Sequence, residues 1–348
     1  MLTRHTLGSA LGALVIATSV TAVSVTPANA EKVSMAIVNA VSDVGLFIAD
    51  AKGYFKDEGI EPDFVTFDTG AKMVAPLGAG QLDVGGGGPS AGLYNAIDRG
   101  IKIRMVADKA HNRQGAPFQS FLISKVLWDS GEVKSLKDLK GRKVAISGQG
   151  GGDASVLNEA MKSVGLTYND VEKVYLGFPQ YAAALQNGAV AGSITTEPSV
   201  TNIVKLGAAH RLMGNDTFYP NHQTAVILFS EDFATRKKPL AQKFMRAYVK
   251  ATRDFNDAVV DGKLAGAGGE EIVQILAKYS NVKNPDVLRN LTVHGANPDG
   301  AMNVESLKKD LSFFREQGDV KGAVTVEQVL DTSFVEAAVK ELGPYKKK

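Results

Sequence analysis

The sequence predicts two similar α/β lobes joined by two hinge crossings, and three observations predict it. First, Ala75–Ser90 (APLGAGQLDVGGGGPS) is echoed downstream by Ala184–Ser199 (ALQNGAVAGSITTEPS). Leu77 matches Leu185, Gly80 matches Gly188 and, after a one-residue slip, Pro89-Ser90 matches Pro198-Ser199. Each copy reads as the end of a helix, a glycine-marked turn, a short strand and a Pro-Ser that opens another helix. Second, the flanks agree. A strand, a polar turn and a helix precede the first copy (Ser34–Val38, Asn39–Val44, Gly45–Tyr54) and the second (Lys143–Ser147, Gly148–Asp153, Ala154–Val164). Third, apolar strands at Phe118–Leu127 and His222–Ser230 lie where the chain must leave the first lobe and return to it. In open α/β sheets ligands sit beyond the carboxyl ends of the strands. Two such lobes facing each other pool four loops around one cleft, and two crossings let that cleft close.

Composition bounds the rest. The 348 residues open with Arg4 and His5, an apolar run from Leu7 to Val25 and the small-x-small pattern Ala28-Asn29-Ala30. That is the pattern of a secretory signal spanning 1–30, cleaved after Ala30. The remainder suits two domains of roughly 150 residues each. We expect lobe one from 31–117 and 226–348, and lobe two from 118–225. The formal net charge is +2, one unit less without Arg4, so nothing draws the chain to nucleic acid or anionic membrane. Cysteine is absent and 44% of residues are hydrophobic, so an exported chain of this length rests on its core and not on disulfides. Without cysteine there is no N-terminal lipid anchor, which fits a periplasm.

Element by element, lobe one begins with Val33, Met35 and Ile37 alternating, followed by a helix with Leu46, Ile48, Ala49 and Phe55 near helical spacing. Strands at Glu61–Thr66, Leu82–Gly85 and Lys102–Ala107 alternate with helices at Lys72–Gly80 and Ser90–Arg99. After the first crossing, Ser135–Leu139 with Gly141 reads as a short helix and stop. Lobe two adds Val171–Leu176, Tyr181–Asn187, Gly192–Thr195 and Ser199–Leu206. The remainder is helical: Lys238–Val260 carries Phe244, Tyr248, Ala251 and Phe255 on one face, and Glu270–Tyr279, Val304–Gln317 and Val326–Leu342 follow. These stripes are expected to pack on lobe one.

The loops carry the candidate chemistry. Gly148–Ser155 (GQGGGDAS) follows a strand and opens a helix, so the amides around Gly150, Gly151 and Gly152 form a site for an anionic group. The alternative is a flexible turn with Asp153 as its cap. It is no nucleotide loop, because no Gly-Lys-Ser/Thr follows and Asp153 stands where a third glycine is required. The equivalent loop Gly85–Ser90 offers bare backbone at Gly87, with Pro89 and Ser90 starting the next helix. Gly88-Pro89-Ser90-Ala91-Gly92 also spells the esterase elbow. The short chain before it and the unaccompanied twin Ser199 argue for capping or ligand contact instead. Thr195, Thr196 and Glu197 end the matching strand of lobe two, while Ser42 and Asp43 occupy the fourth loop; either carboxylate can cap a helix or meet a ligand. Arg113 and Gln114, with His222, fall at the crossings. Arg113 can pair a carboxylate or sulfonate two-fold, or be a solvated loop arginine. Gln180 and Tyr181 can line a wall. The five histidines are scattered without a metal-binding spacing, so no metal, no cofactor and no catalytic group is expected.

Four phrases carry a family resemblance: Gly53–Gly59 (GYFKDEG), Gly80–Val84 (GQLDV), Asp138–Val144 (DLKGRKV) and Glu197-Pro198. With them the chain resembles the solute-binding proteins of ABC importers for aliphatic sulfonates, taurine, nitrate and thiamine-pyrimidine precursors. The resemblance covers most of 33–230 in order, and its phrases are scaffold. It implies a type II periplasmic-binding-protein-like fold and a monomer. It also implies hinge-closing capture of a solute and delivery to an inner-membrane permease; the glycine-loop amides and Arg113 point to a small organic solute of sulfonate or carboxylate type. Relatives that bind or synthesise pyrimidines on the same fold supply the alternative.

Overall fold

The computed structural model describes residues 1–3 and 30–348, so most of the export signal read at 1–30 lies outside the described residues. Two five-stranded mixed sheets organise the chain. The first runs β2-β1-β3-β10-β4, from β1 (Glu31–Ile37), β2 (Ile60–Thr66), β3 (Val84–Gly87), β4 (Ile103–His111) and β10 (Gln223–Ser230). The second runs β7-β6-β8-β5-β9, from β5 (Gln119–Ser124), β6 (Lys143–Ile146), β7 (Glu172–Tyr175), β8 (Gly192–Thr196) and β9 (Ala209–Gly214). The two orders are the same diagram. In each, three parallel strands are followed by an antiparallel strand contributed by the chain as it crosses, β10 in one and β5 in the other. The register repeats as well, since Ala36 faces Gly85 as Ala145 faces Ser193. Two α/β lobes built on one plan are therefore present.

Seven helices position the loops: α1 (Val44–Ala51), α2 (Ala91–Asp98), α3 (Gly152–Lys162), α4 (Tyr181–Gln186), α5 (Ser199–Lys205), α6 (Lys238–Ala258) and α7 (Val304–Glu316). The aromatic stripe of α6 is core, with Phe244, Tyr248 and Phe255 buried against the first sheet. Phe244 meets Phe229, Phe233 and Phe55 at centroid distances of 5.5, 6.2 and 5.4 Å. Deleting a ring of this kind costs about 3–5 kcal/mol. Close approach of α1 to α6 depends on Gly45, where an added Cβ would stand 2.8 Å from Tyr248 Cε2. No described helix is long and apolar enough to cross a membrane.

Three features differ from the sequence expectation, the first being that the helix expected over Val326–Leu342 is two, Val326–Val329 and Ser333–Leu342. Strand β9 was not anticipated, because an edge strand exposed on one side lacks a full apolar run: five of its six residues are only partly buried. The tail helices do not all brace the first lobe. Phe313 of α7 packs edge-on to Tyr168 of the second lobe at 5.0 Å, and Lys309 forms an ion pair with Glu159 at 2.5 Å. The other side of α7 meets Tyr94 of α2 through Phe314, so this helix lies between the lobes.

Candidate functional site

The loops after β1 and β6 are built alike. Each strand's next residue donates its amide to an aspartate at the start of the following helix: Val38 N to Asp43 Oδ2 at 3.2 Å, and Ser147 N to Asp153 Oδ2 at 2.5 Å. Such a carboxylate holds its loop closed by satisfying amides left free by the end of the strand. In lobe one Asp43 also accepts from Ala40 N at 3.0 Å, and its Oδ1 lies 2.9 Å from Lys109 Nζ. Both side chains are almost wholly buried, and Lys109 also donates to Ser42 Oγ at 3.2 Å. Gly86 makes room for this pair, since a Cβ there would stand 2.8 Å from Lys109 Cε. A Cβ on Gly87 would likewise stand 2.8 Å from Gly70 Cα. Pro89 is buried, and Ser90 caps α2 by accepting from Leu93 N at 3.3 Å.

Lobe two lacks the lysine. Burial pushes the Asp153 carboxyl above the ordinary aspartate range, and its Oδ1 has no partner. Tyr181, buried at the start of α4, has a hydroxyl that is also unpartnered and pushed upward by burial. The amides of Gly151 and Gly152 donate to no protein acceptor among the described residues. Gly150 turns the loop with φ of +65°, and its carbonyl accepts from Ala91 N of the opposite lobe at 2.9 Å. The glycine loop of lobe two thus touches the helix start of lobe one.

The remaining sequence candidates divide. Thr195 is buried and shares a 2.8 Å hydrogen bond with Ser193; Thr196, beside it, is half-buried. Glu197 caps α5, accepting from Thr201 N and Thr201 Oγ1 at 3.0 Å each, and burial pushes its carboxyl up. It therefore takes the role that Ser199 was expected to fill, and Ser199 becomes the first helical residue. Gln180 is exposed and accepts from Gly177 N at 3.1 Å. Gln114 is exposed. Arg113 is half-buried, its guanidinium pulled below its ordinary pKa by burial, and it makes no ion pair among the described residues; Tyr345 and His294 share its surroundings.

The two crossings run side by side, with Asn112 N donating to His222 O at 2.9 Å and Asn221 N to Asn112 O at 2.8 Å. Here buried polar atoms without partners gather: Asn112 Nδ2, Gln119 Oε1 and His222 Nδ1. Buried polar groups are satisfied in the great majority of cases, so such a gathering marks a place where water or ligand completes the bonding. His222 is 1% exposed, and its Cε1 lies 3.8 Å from where a Cβ on Gly152 would stand, beside the free amides of α3. Its Nε2 faces Asp310 Oδ2 at 3.0 Å. Asp310 Oδ1 accepts from Ser155 Oγ at 2.5 Å and from Tyr219 Oη at 2.7 Å. Sequence reasoning missed Asp310, Asn112, Gln119 and Lys109. Asp310 sits on a helix whose stripe reads only as core, and no local spacing links it to His222. Among the described residues no group of side chains is arranged to hold a metal.

Duplicated sheets with exchanged strands and facing loops define a periplasmic-binding-protein fold. The NMT1/THI5-like family model matches residues 41–257, and the chain belongs to that family. The periplasmic nitrate-binding protein of Synechocystis PCC 6803 superposes with a TM-score of 0.71 at 13% identity, covering 90% of this chain and 89% of that one. The taurine-binding periplasmic protein of Escherichia coli (strain K12) is 25% identical over 260 residues, 74% of this chain and 76% of its own. The 4-amino-5-hydroxymethyl-2-methylpyrimidine phosphate synthase of Aspergillus parasiticus is 24% identical over 223 residues, 60% of this chain and 61% of its own.

Proposed function

We propose that this protein is the solute-binding component of an ABC import system. It captures a small organic solute in the cleft between its lobes by hinge closure and delivers it to an inner-membrane permease. The carrying observation is the contact of Ala91 N with Gly150 O across the lobes, beside the unpaired amides of Gly151 and Gly152. We take lobe one as 31–117 with 226–348 and lobe two as 118–225, with α7 riding between them. The contacts we assign to the solute are Gly151, Gly152 and His222, with Asp153, Tyr181 and Thr196 around them. The acidic group of the solute, a sulfonate or carboxylate, lies on the amides at the start of α3, where the helix adds about 0.3–1 kcal/mol. Micromolar capture needs about −8 kcal/mol, so hydrogen bonds from the hinge and contacts to Tyr181 supply most of the affinity.

The Aspergillus relative favours a second reading, a pyrimidine precursor bound on the same fold. Acceptors and donors side by side at His222 and Gly151 suit a ring bearing N–H groups. Thermal-shift measurement with taurine, ethanesulfonate, nitrate, small carboxylates and aminopyrimidines separates the two. A solute at a hundred times its Kd adds about 2.7 kcal/mol of stability. If none of these compounds raises the melting temperature or compacts the protein in solution scattering, the import reading is wrong.

A further inference from the structure

We infer that Asp310 is a positioning residue that fixes the tautomer of His222, so that the solute must carry an N–H or O–H donor next to its acidic group. The inference rests on the solute-binding reading of the cleft. A carboxylate accepts and does not donate. As a carboxylate, Asp310 faces three groups, Ser155 Oγ at 2.5 Å, Tyr219 Oη at 2.7 Å and His222 Nε2 at 3.0 Å, and each then brings the proton. Burial strengthens the requirement, because Asp310 is 0% exposed and hydrogen bonds gain strength away from bulk solvent. A ring whose single proton sits on Nε2 presents a bare lone pair at Nδ1.

That Nδ1 is buried and unpartnered, on a ring whose edge lies against the first turn of α3. The ring itself cannot swing away, being packed on Tyr219 at a centroid distance of 4.5 Å and tied to α7 through Asp310. The site therefore offers donors from Gly151 and Gly152 and, beside them, the Nδ1 acceptor of His222. A solute with acceptors alone, such as nitrate or a plain alkanesulfonate, leaves that acceptor desolvated and unpaired, which is how a site built for a donor rejects an analogue lacking it. Helix α7 thus acts on specificity without touching the solute, through a carboxylate that none of the sequence patterns singled out.

Two measurements test this. In nitrogen-15 NMR of histidine-labelled protein at pH 7.5 without solute, with His222→Gln identifying the signals, His222 should show a protonated Nε2 and an unprotonated Nδ1. Asp310→Asn should raise the opposite tautomer to a comparable population. A wild-type ring carrying its proton on Nδ1, or on both nitrogens, overturns the inference whether or not the variant folds. Calorimetry then compares matched probes, taurine against ethanesulfonate and 4-aminopyrimidine against pyrimidine. Within a pair that binds, the donor-bearing member should bind at least tenfold more tightly to the wild type, and the preference should fall below threefold in His222→Leu. Equal affinity within a pair overturns the inference. The expected tautomer with no binding by any probe tells against the solute-binding reading and leaves the Asp310–His222 assignment standing.

Discussion

Replacing Lys109 with methionine removes the cation that faces Asp43 Oδ1, and the cost can be worked from the structure. The pair is 2.9 Å long, with side-chain exposures of 2% for Lys109 and 0% for Asp43. Two amides still reach the other carboxylate oxygen, from Val38 and Ala40, so the loop keeps part of its support. The methionine fills the lysine stem's space over Gly86, which keeps the cavity contribution small. What remains is a buried charge without its partner, and truncating one member of such a pair costs about 3–5 kcal/mol. At about 2–4 °C per kcal/mol for a protein of comparable size, the melting temperature should fall by roughly 10 °C. Urea denaturation gives the free energy directly, provided the slope is unchanged. The companion variant Asp43→Asn with Lys109→Met removes both charges and should recover much of the loss, giving a coupling of about 2 kcal/mol. A single variant within about 1 kcal/mol of wild type, or strictly additive effects, would show that the pair is solvated and that the lobe-one loop is held by other means.

Two further outcomes follow from the second lobe. Gly150→Val places a branched side chain at φ +65° and 2.6 Å from Ala91 Cβ, so the lobes should separate, with a larger radius of gyration in scattering and a loss of solute affinity beyond tenfold. Gly148→Ala meets nothing within 4 Å and should change neither; equal scattering from both variants would refute the contact as the closing point. Asp153→Asn removes a carboxyl whose pKa burial raises above the ordinary 3.8. The folded wild type holds its proton more tightly than the unfolded chain, so stability tied to this group is present below 3.8 and lost as pH rises through the raised value. The asparagine variant should therefore melt higher than wild type at pH 7.5, with the gap closing on acidification; a gap that widens toward acid would mean the buried carboxylate is stabilised by its amides.

Much of the architecture was legible because its signals are local. A strand alternates over a few residues, a helix repeats over a turn, and a duplicated phrase such as Leu77–Ser90 and Leu185–Ser199 reports a duplicated unit. Ser90 as a cap and the Phe244–Phe255 stripe as core needed nothing beyond that spacing. Strand β9 escaped because His210, Arg211 and Leu212 are half-exposed at an edge, where the pattern that betrays a strand is weakest. Helix α7 was visible as a helix, but its address was not. Phe313 and Phe314 read as a core face whichever lobe receives them, and the structure gives one ring to each.

By itself, then, the chain's sequence determined the two-lobe plan, the strands at the crossings and the glycine-rich loops at the strand ends, since each depends on neighbours in the chain. Only the tertiary structure decided which polar groups are paired. Lys109 meets Ser42 across a separation of 67 residues and His222 meets Asp310 across 88. No periodicity spans such distances. Whether the second oxygen of a loop-bracing carboxylate meets a lysine, as at Asp43, or is left open, as at Asp153, depends on which side chain folding brings against it.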